Sequence, residues 1–411
     1  MILIFGFANA GAQECDIWYV TTGGTGAGTK ADPAALQTAL LGVAPGSEHV
    51  RMASGTYTSD QQLDLVGGVV LEGGYDPTTW EKSNNGVSLI YRTNSNITPG
   101  PERLVAISAV GISDFRLQDL DVEVQDAVGI GVTTYGIYLS GCLDYSIVRC
   151  KVEAGSGANG VNGIPGVNGQ NGVDGTDGQG GNQCGGGSTA GGTGGSSWSG
   201  GTSAGGNGGN GGQEGTNWQA VWGFPPWIVG QGYDGQIGQI GGGLSGGPGG
   251  IAGLGYQQTL PACWVIFGIE VPQNCQAGGP SFGQPGADAL ADGADGPNGA
   301  NGIPSHVGGF FMPGNGVDGV DGEDGSGGGG GGGGGSFGEL IALMGTGSGP
   351  GGGGGGEGGQ GGTGATGGSG GGGSFGIYID NNGTGGVIGD CNVNSSIPGY
   401  GGIGGFPGGY G

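Results

Sequence analysis

Basic side chains are missing from most of this chain. All eight Lys and Arg residues lie at or before Lys151, whereas 17 acidic residues follow that position, and the formal net charge is −25. Nucleic acids are bound mainly through Lys and Arg at the phosphates, so this charge excludes nucleic acid as a partner and disfavours an anionic membrane surface. We interpret the acidity as a source of solubility and mutual repulsion, with divalent cation binding as the alternative.

Patterns that carry catalysis or bind metals are also missing. The two histidines, His49 and His306, are distant from the seven cysteines in sequence, and no Cys-x-x-Cys pair occurs. These absences argue against a zinc site and against a Ser-His-Asp or Cys-His catalytic group. The glycine-rich tracts lack the Gly-Lys-Ser/Thr of a phosphate loop. No apolar run approaches the roughly 18 residues of a membrane-spanning helix, so no transmembrane segment is predicted.

Glycine dominates the region in which these groups are missing. It supplies 120 of 411 residues, recurs at every third position from Gly157 to Gly181, and forms an unbroken run from Gly327 to Gly335. Collagen has the same period but needs roughly 15–20% proline, whereas this chain has 19 prolines in all. A flexible linker has no reason to keep the phase. We therefore predict polyglycine II helices, extended three-fold helices whose glycine edges let backbones pack closely, with an unstructured low-complexity region as the alternative.

Short strands occupy the sequence on both sides of the glycine region. A strand is predicted at Ile17–Val20, followed by a helix at Asp32–Leu41 with Asp32 as its N-cap and Pro33 at its first position. The next three predicted strands, at Val50–Met52, Val69–Leu71 and Ser88–Tyr91, have centres about 20 residues apart. Such spacing without alternating helices is typical of a solenoid.

Two distant segments predict how the solenoid is assembled. Gly136–Leu139 followed by Cys150 matches Gly376–Ile379 followed by Cys391, with Gly-to-Cys spacings of 14 and 15 residues. We expect the two segments to be neighbouring coils, with the glycine region inserted between them. Cys150 and Cys391 would then lie in register on strands about 4.8 Å apart, as a buried sulfur stack or a disulfide.

Four segments near the start of the chain resemble a known family. They are Trp18–Gly26, the Leu36–Leu41 helix, Ala53–Tyr57 and Leu71–Asp76. Together they resemble the N-terminal portion of secreted bacterial right-handed parallel β-helix proteins of the pectin-lyase-like type, in which a helix caps the first coil. Many members of that family are non-enzymatic surface proteins, so the resemblance implies a fold more than an activity. By repeat style alone, the glycine region resembles the polyglycine II bundles of some phage tail-fibre adhesins and of a glycine-rich antifreeze protein.

The predicted fold class is all-β: a short right-handed parallel β-helix with an N-terminal capping helix, plus a large bundle of polyglycine II helices inserted between coils. The predicted domains are a signal remnant or donated strand (1–14), the first part of the β-helix (15–154), the glycine-rich insertion (155–374), the final coil (375–398) and a Gly/aromatic tail (399–411).

A secreted location, extracellular or on the cell surface, is expected from the resemblance and from the start of the chain. Met1–Ala12 is apolar and ends in small residues, but it lacks the basic start of a secretory signal, so its cleavage is left open. Disulfides form by default in exported proteins. Cys263 and Cys275, which bracket a hairpin-like loop, are the first candidate pair.

We predict a non-enzymatic structural protein whose partners are copies of itself, assembled as an extracellular filament or a surface layer. A helix cap is predicted only near the N-terminus, and the last coil runs into the tail without one, which invites stacking. The residues assigned to assembly are apolar and lie near the two termini: Ile2, Ile4, Phe5, Phe7, Tyr400 and Phe406.

Aromatic islands in the glycine region support a second hypothesis, a surface adhesin that binds a receptor or a glycan. Exposed aromatic side chains supply binding area at low entropy cost. The candidate binding or interface residues are Trp218, Trp222, Phe224, Trp227, Phe310 and Phe311. The structural alternative is that such islands plug the ends of the glycine bundle.

A polysaccharide lyase is a third and less favoured hypothesis. Polysaccharide lyases and hydrolases of the resembled fold use clustered Asp with Ca²⁺, an Arg or Lys base, or paired carboxylates. The candidates here are Asp114, Arg116, Asp119, Asp121, Glu123 and Arg149. Alternating polar residues are, however, found on any solvated strand. No cofactor is predicted, and weak Ca²⁺ bridging by the period-three Asp318, Asp321 and Asp324 is left open.

Overall fold

The computed structural model describes residues 17–43, 48–83, 86–181, 187–198, 202–213, 232–255, 265–266, 269–270, 282–291, 293–336 and 347–409. Strands are the main regular elements in this part of the chain, and its one helix has 7 residues. In chain order the elements are β1 (Ile17–Val20), α1 (Leu36–Gly42), β2 (His49–Ala53), β3 (Gly55–Ser59), β4 (Leu63–Asp64), β5 (Val70–Tyr75), β6 (Ser88–Arg92), β7 (Arg103–Val110), β8 (Arg116–Gln118), β9 (Asp121–Val124), β10 (Thr133–Ser140), β11 (Ser146–Val148), β12 (Lys151–Glu153), β13 (Val265–Ile266), β14 (Ile269–Glu270), β15 (Ser305–Val307), β16 (Phe310–Met312), β17 (Ser374–Asp380), β18 (Val387–Gly389) and β19 (Asn392–Asn394).

The chain groups into two compact units. Unit 1 comprises Met1–Ile164, Ala300–Val317 and Thr366–Gly405. Unit 2 comprises Pro165–Gly299, Asp318–Ala365 and Phe406–Gly411. The glycine-rich sequence is thus shared between the units. The two units group residues that contact one another, whereas the predicted domains were divided by sequence composition. The units therefore do not test the predicted domain boundaries, which stay predictions.

Unit 1 contains three parallel sheets that the chain visits in a fixed order. The strand orders are β1-β2-β5-β8-β11-β18 in the first sheet, β19-β12-β9-β6-β3 in the second and β17-β10-β7-β4 in the third. From β2 to β12, and again from β17 to β19, successive strands keep one cyclic order through the three sheets. The β-rich and parallel character predicted from the sequence is therefore confirmed.

Apolar residues stack on neighbouring strands to build the core of unit 1. Leu71, Leu117 and Ile147 are in register in the first sheet and are fully buried. Ile90 and Val122 form the same kind of pair in the second sheet. Parallel strands lie about 4.8 Å apart, so each side chain packs on its equivalent in the next strand. Burying one such side chain contributes about 1.5–3 kcal/mol, which fixes the register of the strands.

Helix α1 starts later than the sequence predicts. Ala35 occupies the N-cap position without a side-chain hydrogen bond, so the predicted N-cap at Asp32 is wrong. The Asp32 carboxylate instead accepts the N–H of Ala27 at 3.0 Å and closes the preceding turn. The predicted apolar face is confirmed, because Leu36 and Leu40 are buried in the core. Helix α1 contacts β1 and β2, and it therefore covers the core where the sheets begin.

The predicted pairing of the two matching segments is also confirmed. Ile137 pairs with Ile377 on the parallel strands β10 and β17, and Ser146 pairs with Val387 on β11 and β18. The offset between partners grows from 240 to 241 residues between these two pairs. The one extra residue of the second segment therefore lies in the turn between β17 and β18.

The glycine-rich segments of unit 2 run side by side and exchange backbone hydrogen bonds. In the unbroken glycine run, Gly330, Gly331 and Gly332 donate at 2.8–2.9 Å to the carbonyls of Gln239, Gly353 and Gln284, which belong to three different segments. A Cβ atom at Gly330 would lie 2.2 Å from the carbonyl oxygen of Asn207 in a fourth segment. Close neighbouring backbones therefore exclude a side chain at most positions of the run, although Gly331 has more room, with its closest Cβ contact at 3.5 Å.

Candidate interaction surfaces

Many residues assigned from the sequence to binding, assembly or disulfides lie outside the described part of the chain. They are Trp218, Trp222, Phe224 and Trp227 of the aromatic island, Ile2, Ile4, Phe5 and Phe7 near the N-terminus, and Cys263 and Cys275. Between these two cysteines, the backbone of β13 pairs antiparallel with that of β14, as expected for a hairpin. The assignments themselves stay predictions.

Phe310 and Phe311 do not form the exposed tip expected from the sequence. They lie on the β15–β16 hairpin of unit 1, and the Phe310 ring stacks on Tyr138 with centroids 4.1 Å apart. The Arg103 guanidinium lies 3.9 Å from the centre of the Phe310 ring. The N–H of Phe311 donates to the hydroxyl of Tyr135 at 2.9 Å. The third sheet offers these rings an aromatic surface within their own unit, and their assignment as binding or interface residues stays a prediction.

Cys150 and Cys391 are free thiols that directly precede the paired strands β12 and β19, which corrects the disulfide alternative and agrees with a sulfur stack. The N–H of Cys150 donates to the sulfur of Cys391 at 3.5 Å, and each thiol donates to backbone carbonyls, including that of Ile147 for Cys391. Burial raises the pKa of the Cys150 thiol to about 12, so it stays protonated and unreactive at neutral pH.

Two of the lyase candidates, Asp119 and Arg149, form an ion pair beside the first sheet. Arg149 donates to the Asp119 carboxylate at 2.6 and 2.9 Å, and Lys82 pairs with the same carboxylate. Burial opposes ionisation of Asp119, but the hydrogen bonds from Arg149 and Lys82 outweigh it and hold the pKa of this carboxyl well below its usual range. A carboxylate that stays ionised and paired is poorly suited to proton transfer. The cluster is better explained as a link between successive coils.

Two further lyase candidates, Asp121 and Glu123, lie on a different sheet. They line a shallow groove together with Lys151 and Glu153, which pair with each other at 2.8 Å. Burial raises the pKa of Asp121. Within the described residues, no group of three His, Cys, Asp or Glu side chains could hold a metal ion. The groove therefore presents the Lys151–Glu153 ion pair beside two further carboxyl groups on a strand face.

The period-three aspartates of the glycine region have a structural use. In unit 2, Asp321 accepts the N–H of Gly364 at 2.7 Å and Asp324 accepts that of Gly361 at 3.0 Å. These carboxylates extend the lateral hydrogen bonding between neighbouring backbones. These contacts give Asp321 and Asp324 a structural role, and the weak Ca²⁺ bridging considered from the sequence stays a prediction.

Rows of exposed apolar side chains follow the glycine-rich segments of unit 2. Ile237 and Ile240 are 68% and 70% exposed, and Ile251 and Leu254 on the adjacent segment are 68% and 58% exposed. The two segments are joined by backbone hydrogen bonds such as that from Gly238 to Gly250. Two hydrogen-bonded neighbouring segments therefore each carry a row of solvent-exposed apolar side chains.

Unit 1 carries the same kind of row on two neighbouring segments. Ile164 on the first segment is exposed, as are Tyr400 and Ile403 on the second. The two segments are joined by the hydrogen bond from Gly163 to Ile403 at 2.8 Å. Tyr400, and Phe406 in unit 2, were assigned to assembly from the sequence, and both side chains are accessible to a partner.

Comparison with known proteins adds little to this description. No protein-family model matches the chain, and no curated protein matches it. A solved structure of a rhamnogalacturonan lyase is similar over 34% of this chain and 42% of its own, with 15% identity and a TM-score of 0.24. The chain thus spans less than half of that lyase, and a likeness of this size carries no argument about activity. In the described residues, no helix is long and apolar enough to cross a membrane.

Proposed function

We propose that the three sheets of unit 1 form a right-handed parallel β-helix capped by α1, and that the glycine-rich segments form polyglycine II helices. The cyclic order of the strands and their parallel pairing support the first assignment. Right-handed crossovers are by far the commoner kind between parallel strands. Lateral hydrogen bonds at every third residue support the second assignment.

The function we propose is that of a non-enzymatic extracellular structural subunit, which assembles with copies of itself into a filament or a surface layer. The observation that carries the proposal is the set of exposed apolar rows, with Ile237, Ile240, Ile251 and Leu254 as its clearest example. Soluble monomers rarely expose contiguous apolar patches, and such patches mark interaction sites. A secreted location is part of the same proposal and rests on the family resemblance of the four segments near the start of the chain.

The regularity of these rows favours a repeating partner. Their side chains recur at three-residue intervals, as in Ile237 and Ile240, so they form straight ridges along a rigid segment. A second copy presents ridges with the same interval, and the two sets can interdigitate. Burying apolar surface contributes about 25 cal/mol of binding free energy for each Å², so several ridges together are needed for stable association.

Assembly of the full chain tests this proposal. We expect purified wild type to form large species in sedimentation velocity and ordered particles in electron microscopy. Ile237→Asn combined with Ile240→Asn should shift the distribution to small species, whereas Gln236→Asn on the same segment should leave it unchanged. Wild type that stays monomeric at high concentration, or a double variant that assembles normally, would contradict the proposal.

The adhesin and lyase hypotheses predict different results for variants of the same purified protein. An adhesin loses attachment to its receptor or glycan when Trp222 and Trp227 are replaced, while assembly is retained. A lyase shows activity on an acidic polysaccharide that disappears with Arg116→Ala or Asp119→Ala. The pairing of Asp119 with Arg149 and Lys82 disfavours the lyase.

A further inference from the structure

The last layer of unit 1, which we call the end layer, consists of β17, β18 and β19 together with residues 397–405. Each of its strands is the final strand of one sheet. Ile147 is 0% exposed, whereas its partner Ile388 in the end layer is 41% exposed. Val152 is likewise 0% exposed, whereas its partner Val393 is 41% exposed. Within the described residues, the inner columns of the core thus continue into the end layer and are partly exposed there.

The glycine-rich part of the end layer is open in the same way. In the preceding layer, Gly160 and Gly163 donate to the carbonyls of Tyr400 and Ile403 at 2.8 Å. Their equivalents in the end layer, at the 241-residue offset that relates Val152 to Val393, are Gly401 and Gly404. Within the described residues, the N–H groups of Gly401 and Gly404 have no acceptor.

The space beside these two glycines is also empty. A Cβ atom at Gly163 would lie 1.9 Å from the Thr366 carbonyl oxygen, because another backbone passes there. A Cβ atom at Gly401 or Gly404 would meet nothing within 4 Å. Contacts within one copy therefore do not explain why positions 401 and 404 are glycine, because an added Cβ atom would meet no described atom there. A bare edge with free donors is the surface on which this protein packs one extended segment against another.

The strands of the end layer carry few of the features that keep strand edges apart. Natural edges are commonly protected by charged side chains, Pro or bulges. At the outward positions of the second sheet, Lys151 and Glu153 pair with the neutral Asn392 and Asn394 of the end layer. Residues 374–405 contain no Lys or Arg, and their edge-protecting residues are limited to Asp380, Asp390 and Pro398. The opposite end of the stack is different, because α1 covers its core.

We propose that the end layer of unit 1 docks on the end layer of a second copy, giving a two-fold symmetric dimer. This inference rests on the proposed self-assembly and names one of its contacts. A two-fold interface uses the same patch on both copies, and the end layer is the uncovered end of the three-sheet stack. The extended segments already pair in both directions, since Gly163 bonds to a parallel segment and Thr366 bonds antiparallel to Ile164. Antiparallel docking of two end layers therefore requires no new kind of contact.

Filling the glycine edge tests the dimer. Gly401→Val combined with Gly404→Val places side chains in space that is empty within one copy. The melting temperature of the variant should therefore equal that of the wild type. We expect its dimer dissociation constant to rise about 10- to 100-fold, because overpacking at the interface disfavours docking. Gly180→Val is the matched control, since a Cβ atom there also meets nothing within 4 Å, yet Gly180 lies outside the end layer.

The measurement separates this inference from the proposed lateral assembly. In the Ile237→Asn, Ile240→Asn background, sedimentation equilibrium should still give a dimer, and hydrogen exchange at the amides of Gly401 and Gly404 should slow as the dimer forms. A monomer in that background, or unchanged exchange at these amides, overturns the inference and leaves lateral assembly intact. A dimer that the two valines do not weaken also overturns it. Wild type that stops at the dimer overturns the proposed filament or layer alone.

Discussion

At the scale of single residues, the space around each glycine decides whether a side chain is tolerated. A Cβ atom would lie 2.2 Å from a carbonyl oxygen at Gly330, but its closest contact at Gly331 would be at 3.5 Å. We expect Gly330→Ala to lower the free energy of unfolding by about 1–3 kcal/mol, because the neighbouring backbone must move. Gly331→Ala should be neutral or stabilising by about 0.4–1 kcal/mol, because it restricts the unfolded chain without a clash.

Chemical denaturation of the two variants, followed by circular dichroism, checks this difference. Both variants replace Gly by Ala at adjacent positions of the same run. The intrinsic conformational preferences of Gly and Ala therefore affect the two variants equally. Equal losses at Gly330 and Gly331 would contradict the packing that we describe for unit 2.

The three-residue period of glycine could be predicted from the sequence, but the hydrogen-bond partners of individual polar residues could not. The phase is visible in the sequence because a bare edge must recur every three residues. The role of Asp32 was not visible, because a carboxylate before a helix suits an N-cap and a closing turn equally well. Asp321 and Asp324 were assigned no hydrogen bonds, since their acceptor role depends on a segment about 40 residues away in sequence.

At the scale of elements, the β15–β16 hairpin gives a clear stability test. Phe310 stacks on Tyr138 and lies against Arg103, so truncating it leaves a cavity on the outer face of the third sheet. We expect Phe310→Ala to lower the free energy of unfolding by about 2 kcal/mol, less than for a fully buried Phe because the ring is only half-buried. Met312→Ala on the same hairpin should cost less, since Met312 is exposed.

Thermal unfolding combined with limited proteolysis near the hairpin measures both effects. If Phe310→Ala leaves stability and proteolysis unchanged, the ring does not fasten the hairpin, and a binding role regains support.

Elements that repeat in sequence were predictable, and elements that depend on a distant surface were not. The pairing of β10 with β17 could be predicted because Gly-Ile-Tyr recurs at both positions. The packing of Phe310 could not, because its partner Tyr138 lies more than 170 residues earlier in the chain. The apolar rows were visible in the sequence as Val or Ile at three-residue intervals, but only the structure places them on exposed edges.

At the scale of the whole molecule, charge opposes the association that the exposed surfaces favour. The net charge is −25, and no Lys or Arg follows Lys151 to offset the 17 acidic residues there. Two copies therefore repel each other over a distance set by the ionic strength, about 30 Å at 0.01 M salt and about 10 Å at 0.1 M. Apolar contacts are not weakened over this range of salt.

Assembly should consequently strengthen as salt is added. We expect the mean sedimentation coefficient of wild type to rise between about 0.01 and 0.1 M NaCl, because screening reduces repulsion while the apolar ridges are unaffected. The Ile237→Asn, Ile240→Asn variant should form only small species at every salt concentration, which separates ridge packing from nonspecific aggregation. Assemblies that dissolve as salt is added would mean that ion pairs hold the copies together. That outcome would contradict an association built on the apolar rows.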